Sequence, residues 1–505
     1  MSGDGVDGER VAIIGAGLGG LACAGRLAAA GFHVEVFEQA DGPGGKAGSL
    51  SLGPFRFDTG PSLLTMPFVV DELFSDVGAD RRETLEIEPL EVLCRYHLAD
   101  GSTLDAVSDP ATVAGRLDRL GWAEREQVEA YFDYCRGIWD ASAEFFLFRP
   151  LIGPLRTVRE IGLTRALDAL RDLRHLDARR SMHEANADFF DDPRAVQLFD
   201  RRATYAGSSP YLAPATLNII QHVDYALGGY VVGGGVRALV RALDQLAEDL
   251  GVRFHFNAPV ERILSSSKTV DGLEVLGERL GFDAVVSNAD VNLTYASLLG
   301  DRESRAARRY AKLEPSSSAL VFYWGLRGVH DEVDVHNILF SEDYAAEFED
   351  LFVNHTCHHD PTVYIYVSSK YASEDAPDGC ENWFVMVNAP HDRGQDWTQE
   401  IERVREAVAA KIRDRLGIEV AGLIEHSASL TPPELASKTG SRFGSIYGIS
   451  SNSQWAAFQR QHNRCRHHRG LYFCGGSAHP GGGMPLVLLS GKMAAEHVRE
   501  DLRTR

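Results

Sequence analysis

Apolar positions along this chain follow two periods, and the switch between them divides it. Residues 11–14 are a continuous apolar run, 18–30 are rich in Ala and Leu, and 33–37 are apolar again, so the head of the chain reads strand, helix, strand. A helix begins at Phe68, and 92–98 with 102–106 pattern as a hairpin. Asp109-Pro110 offers an N-cap acceptor followed by a first-turn proline. It opens a helical block through 123–148, 158–172, 181–190, 194–204 and 214–223. Further on come a helix at 236–250 and short strands at 252–256, 259–263 and 282–290. From 317 the pattern turns to period-two or wholly apolar runs at 319–326, 362–368, 383–389 and 424–430, with a helix over 398–416. An antiparallel sheet is expected there. The end is a strand from 471, a glycine-rich turn, and a closing helix over 486–498.

Candidate chemistry sits in the first turn. Gly15, Gly17 and Gly20 fill G-x-G-x-x-G between the first strand and its helix, with Leu18 and Gly19 at the helix start. The first glycine permits the tight turn, the second a close approach of backbone to a pyrophosphate, and the third helix–strand packing. The amide-rich helix end attracts that anion. Glu38, closing the second strand at the ~20-residue offset of the fingerprint, is placed to reach a ribose hydroxyl. With no basic partner it favours an unphosphorylated ribose. A second glycine run, 228–235, is rejected as another such site, because the strand after its helix ends in Asn257 rather than an acid. With one nucleotide site, NAD(P)H is not expected as a partner.

The stretch Glu38-Gln39-Ala-Asp-Gly-Pro-Gly44-Gly45-Lys46-Ala-Gly-Ser49 resembles the E-x5-G-G-[RK]-x-x-[ST] signature of the FAD-dependent amine oxidase and phytoene desaturase superfamily. Gly60-Pro61-Ser62 matches the Gly-Pro that borders the isoalloxazine there. The closing segment Gly475-Gly-Ser-Ala-His479-Pro-Gly-Gly-Gly-Met484-Pro is similar to the ending of bacterial-type phytoene desaturases. The resemblance covers essentially the whole chain. It implies tightly bound FAD, a basic Lys46 neutralising phosphate, the backbone of Val260 meeting adenine, Gly475 at the pyrophosphate, and the helix start at Met484 facing the pyrimidine end of the flavin. The implied fold class is α/β: a Rossmann-type FAD-binding domain assembled from 1–105, 225–290 and 431–505, a helical cap at 106–224, and an antiparallel-sheet substrate domain at 291–430. In the superfamily, 282–290 is the companion strand leaving the Rossmann sheet.

Three stretches, 206–211, 382–397 and 444–458, look within that family more like 1-hydroxycarotenoid 3,4-desaturases. The activity so implied is FAD-dependent introduction of a double bond into a carotenoid, one hydrogen leaving as hydride to the flavin and the other as a proton, with oxygen or a quinone as electron acceptor. A phytoene desaturase and a redox-neutral carotenoid isomerase are the alternatives. No catalytic residue is assigned. Arg149 and His479 are the candidates for a base, and His479 reads better as a residue that orients the turn. Two departures from the family stand out: Lys46 replaces the common Arg, and 231–232 are Val-Val where many relatives carry Pro-Lys.

Composition narrows the remainder. A net charge of −21 and a pI near 5.3 speak against nucleic acid and against general attraction to anionic lipid. Seven cysteines without a C-x-x-C suit a reducing cytosol. No run reaches the length of a spanning helix and residues 1–10 lack a signal-peptide pattern, so a cytoplasmic protein is expected, with at most one-sided contact on the inner membrane face. Tyr131, Phe132, Tyr134, Trp139, Phe145, Phe146 and Phe148 form an aromatic segment that reads either as core or as a greasy wall or membrane-dipping face. His355, Cys357, His358, His359, Cys465, His467 and His468 match no tetrahedral metal spacing, and no metal is expected.

Overall fold

The computed structural model describes residues 8–150 and 176–503. The expected helix at 158–172 lies outside them. A five-stranded parallel sheet forms the nucleotide side, in the order Arg253–His255, His33–Phe37, Arg10–Ile14, Ala284–Ser287, Leu471–Phe473. Helix Leu18–Ala29 starts where the first strand ends, and the closing helix Met484–Arg503 lies along it. The two approach so closely that a β-carbon at Gly491 would sit 2.4 Å from the Gly19 carbonyl oxygen. Segment 282–290 supplies a strand of this sheet, as expected. Its part Ala284–Ser287 lies inside, hydrogen-bonded on both edges, because a run of four buried residues needs neighbours on either side.

The second sheet has seven strands, ordered Ile424–Leu430, Ser318–Arg327, Cys380–Ala389, Val363–Val367, His336–Leu339, Cys94–His97, Thr103–Ala106. It is antiparallel except at one junction, where His336–Leu339 runs parallel to Cys94–His97. The expected all-antiparallel sheet is thus corrected to a mixed one. The early hairpin 94–106 also pairs into this sheet, although a division at 105 assigns it to the first cofactor segment. One face, with Phe322, Trp324, Ile365 and Val385, packs under Val404, Val408 and Ile412 of helix Trp397–Leu416. The other, with Val321, Tyr323, Tyr366 and Phe384, meets Phe55 and Phe57 from the nucleotide side. Both faces are covered, which is why the central strands read as unbroken apolar runs.

The glycine run at 228–235 is half strand. Gly229–Val232 pairs with Leu64–Thr65 and Ile87–Pro89, and only then does the chain turn into helix Val236–Asp249. Val260–Ser266 continues into a three-stranded meander with Thr269–Val275 and Glu278–Gly281, two strands that the sequence pattern missed.

Asp109 caps its helix as expected, accepting from the amide of Thr112, and Ser181 caps the helix that begins after it, accepting from the amide of Glu184. Tyr131 and Phe132 of helix Arg125–Phe146 are buried among Phe190, Phe199 and Tyr225, so this part of the aromatic segment is core. Trp139 and Phe148 pack instead on the cluster around the closing helix. Phe146 contacts the exposed Phe458. Among the described residues no helix is long and apolar enough to cross a membrane.

Candidate functional site

The glycine turn is built by exclusion of side chains. Gly15 has φ +94°, and its amide donates to the Phe37 carbonyl at 2.8 Å, tying the turn to the second strand. A β-carbon at residue 20 would lie 2.2 Å from the Gly15 carbonyl oxygen. The second glycine motif closes over the first: Gly44 donates to the Ala16 carbonyl at 2.9 Å, and Gly45 stands over Gly17. Glu38 is buried, its two carboxylate oxygens accepting from the amides of Ala16 (2.7 Å) and Ala40 (2.9 Å). Each oxygen keeps lone pairs for a ribose hydroxyl. The chain returns to this spot after residue 255, where Asn257 and Ala258 donate to the carbonyls of Ala40 and Glu38 and lead into Val260.

Asn288, just past the end of strand Ala284–Ser287, is the hub that sequence reading missed. Its side-chain amide donates to the Gly15 carbonyl at 3.2 Å and its Oδ1 accepts from the Cys474 thiol at 3.6 Å. Its Oδ1 would also lie 2.8 Å from a β-carbon at Gly19 and 2.4 Å from one at Gly475. The carboxyl ends of parallel strands are where such sheets bind ligands, and that position was its one available signal. A cradle of Gly15, Gly17, Gly19, Gly20, Gly45 and Gly475 over a helix N-terminus, with a buried acid beside it, fits a dinucleotide.

The remaining predicted residues spread from this cradle toward the second sheet. A β-carbon at Gly60 would lie 1.9 Å from the Lys46 carbonyl oxygen. Ser62 hydrogen-bonds the Tyr364 hydroxyl, which in turn contacts His336 Nδ1 at 2.7 Å. Met484 is buried beside Leu18 and Leu64 at the start of the closing helix. Gln39 stays exposed and donates to the Lys438 carbonyl at 3.1 Å. The Lys46 ammonium donates to the carbonyls of Ser445 (3.1 Å) and Ile446 (2.7 Å), and burial lowers it to about 8. In this structure it fastens the glycine motif to the 445–448 segment.

Of the two base candidates, Arg149 pairs its guanidinium with Glu144, and its carbonyl meets His479 Nε2 at 2.9 Å. The imidazole must donate to that carbonyl, so it orients the turn between cap and closing helix. The His479 carbonyl accepts from Ser490 Oγ (2.6 Å) and Asn463 Nδ2 (2.9 Å), fixing the turn from its other side. Burial lowers His479 to about 4 and His336 to about 3. Both imidazoles fold with a lowered pKa, so the unfolded chain takes up their protons first as pH falls below 6.5. Their contribution to stability is full above that value. It declines by up to about 1.4 kcal/mol per pH unit for each group on the way down. Melting temperature is therefore expected to be flat from pH 7 to 8 and to fall steadily between 6.5 and 4; a flat profile through that window in differential scanning would refute the buried neutral imidazoles.

Of the His/Cys set, Cys465 lies in another core cluster, against Tyr295. His358 and His359 instead meet Asp350, with ligand atoms within 4.8 Å and a 2.7 Å hydrogen bond from His358 to Asp350.

A family model described as flavin-containing amine oxidoreductase matches residues 18–499. This chain belongs to that family. Over 97% of its length, and 98% of the relative's, it is 38% identical to a 1-hydroxycarotenoid 3,4-desaturase of a Flavobacterium species. A zeta-carotene-forming phytoene desaturase of Myxococcus xanthus is 32% identical over 97% of this chain and 94% of its own. The fold matches cyclohexylamine oxidase from Brevibacterium oxydans with a TM-score of 0.59 at 18% identity, covering 98% of this chain and all of that one. The protein is an FAD-dependent oxidoreductase of the carotenoid desaturase group. Its carotenoid and FAD expectations stand.

Proposed function

We propose that this chain is a 3,4-desaturase of 1-hydroxylated acyclic or monocyclic carotenoids. The observation that carries the reading is its similarity, over 97% of its length and 98% of the relative's, to a relative of that name. When bound, FAD supplies the two-electron acceptor for removal of two hydrogens from adjacent allylic carbons. The chain's own residues do the rest. Gly15, Gly17, Leu18, Gly19 and Gly20 receive the pyrophosphate with Gly475, Glu38 and Gln39 the ribose side, and Val260 the adenine side. Gly45 stands over the first glycine motif, Lys46 ties the second motif to the carbonyls of Ser445 and Ile446, and Gly60, Pro61, Ser62 and Met484 would border the flavin ring. His479 holds the turn in place. Oxygen or a quinone is the electron acceptor this reading requires, and the cytoplasm or the inner membrane face its location.

Expression in bacterial strains that accumulate either phytoene or 1-hydroxyneurosporene tests this. Loss of two hydrogens, by mass and red-shifted absorbance, is expected in the hydroxylated strain alone. Conversion of phytoene to coloured products favours the phytoene desaturase reading, which the Myxococcus xanthus relative supports. Altered double-bond geometry at constant mass means isomerisation.

A further inference from the structure

The cap contains a positive charge that its own fold leaves unmatched. Arg201 and Arg202 stand side by side at the start of the 3-10 segment Arg201–Ala206, both buried. Arg202 is satisfied, with Asp224 Oδ2 at 3.0 Å and the Tyr96 hydroxyl at 2.7 Å. Arg201 is not. One of its N–H groups reaches the same Tyr96 hydroxyl at 3.3 Å, and its guanidinium lies over the rings of Tyr96 and Tyr205. Among the described residues no carboxylate pairs with it. The adjacent Asp200 is committed to His183 and Asn186.

Two guanidinium groups and one carboxylate leave this interior site one positive charge in excess. A guanidinium offers five donors and is never neutral, and the contacts of Arg201 with Tyr96 and Tyr205 leave it without a carboxylate. The site also connects to residues on the expected flavin side. Tyr96, which Arg201 contacts, lies in the strand paired with His336–Leu339, and His336 bonds the Tyr364 hydroxyl that meets Ser62. Tyr447 is wedged between Gly207, which ends the Arg201 segment, and Gly482 of the closing turn, leaving no room for a β-carbon at either.

We propose that Arg201, held by Tyr96 and Tyr205, receives the hydroxyl oxygen at the end of the polyene. The inference rests on the 3,4-desaturase reading and names the group that reads its substrate. In a 1-hydroxylated chain the oxygen is three bonds from C3 and four from C4, so the group that binds it must lie close to the reacting carbons. A hydroxyl supplies the missing acceptor. A wholly hydrocarbon end would strand the guanidinium, and a site built around a hydroxyl rejects the analogue lacking one more strongly than an apolar pocket rejects an added hydroxyl.

The test uses FAD-loaded wild type, Arg201→Met, Arg201→Lys and Tyr205→Phe, each titrated in detergent with 1-hydroxyneurosporene and with neurosporene. Pigment binding is followed by visible absorbance, and flavin absorbance and midpoint potential are recorded for each protein. Wild type is expected to prefer the hydroxylated pigment by about 100-fold, Arg201→Met to lose that preference by weakening on the hydroxylated pigment alone, and Arg201→Lys to fall between. Should Arg201→Met fail to load FAD, Tyr205→Phe decides, with a selective loss of about 3-fold to 10-fold expected. Equal losses on both pigments overturn the proposal. So does an unchanged preference with a shifted flavin potential, which would make Arg201 a contact of the cofactor. Failure of the desaturase reading looks different: the hydroxylated pigment binds with its preference intact but never loses two hydrogens.

Discussion

Gly20→Ala is expected to purify without flavin colour and with activity down at least about 100-fold. The added carbon would sit 2.2 Å from the Gly15 carbonyl oxygen, and that oxygen is backbone in a turn tied to both the second strand and Asn288. Neither side can yield. Helix Leu18–Ala29 must move off the strand, and the amides at its start then no longer converge on one point. Gly25→Ala is the control within the same helix: its new carbon meets only Leu250 Cδ1, at 3.9 Å. Alanine is the better helix former by about 1 kcal/mol, so that variant should keep its flavin and melt no lower than wild type. The ratio of visible to ultraviolet absorbance after gel filtration reads both. Wild-type flavin content in Gly20→Ala would show that the turn tolerates what the geometry forbids.

Asp375→Ala should be the most destabilising single change, by about 3–5 kcal/mol. Asp375 is fully buried and takes both Nε and Nη2 of Arg56, while Arg56 Nη1 reaches Asp58 at 2.9 Å. Asp58 accepts in turn from the Val236 amide (3.3 Å) and the Tyr366 hydroxyl (3.2 Å), and Asn382 donates to Ser368 Oγ (2.7 Å) and to the Arg56 carbonyl. These bonds join strand Phe55–Asp58, on the nucleotide side, to two strands of the second sheet. Without Asp375 the guanidinium keeps one carboxylate and loses two charge-assisted bonds in a dry interior. Flavin fluorescence during a melt should therefore report early release, with unfolding well below wild type. Asp375→Asn, which retains an acceptor, should lose less. A melt within about 1 °C of wild type for Asp375→Ala would mean that water enters and solvates Arg56.

What the sequence determined by itself was whatever depends on neighbours in the chain. Strand, turn and helix over 10–29, the capped helix starts at Asp109 and Ser181, and the closing helix are written in glycine spacing, capping residues and periodicity, and each lies where those signals place it. The flavin family was equally legible, because its motifs are contiguous. Tertiary structure alone decided the contacts between distant segments. Strand His336–Leu339 is short and begins with His and Asn, so it carries no strand signal. Its pairing with the strand at 94–97 depends on a register that nothing in either stretch encodes. Asn288 became the hub of the nucleotide turn because the parallel sheet carries the ends of its first, fourth and fifth strands to one edge. Arg201 looked like one basic residue in a helical run. Its unmatched charge is visible only once Asp224 has been claimed by Arg202 and Asp200 by His183 and Asn186, since whether a buried charge is paired depends on what the fold brings within about 4 Å of it.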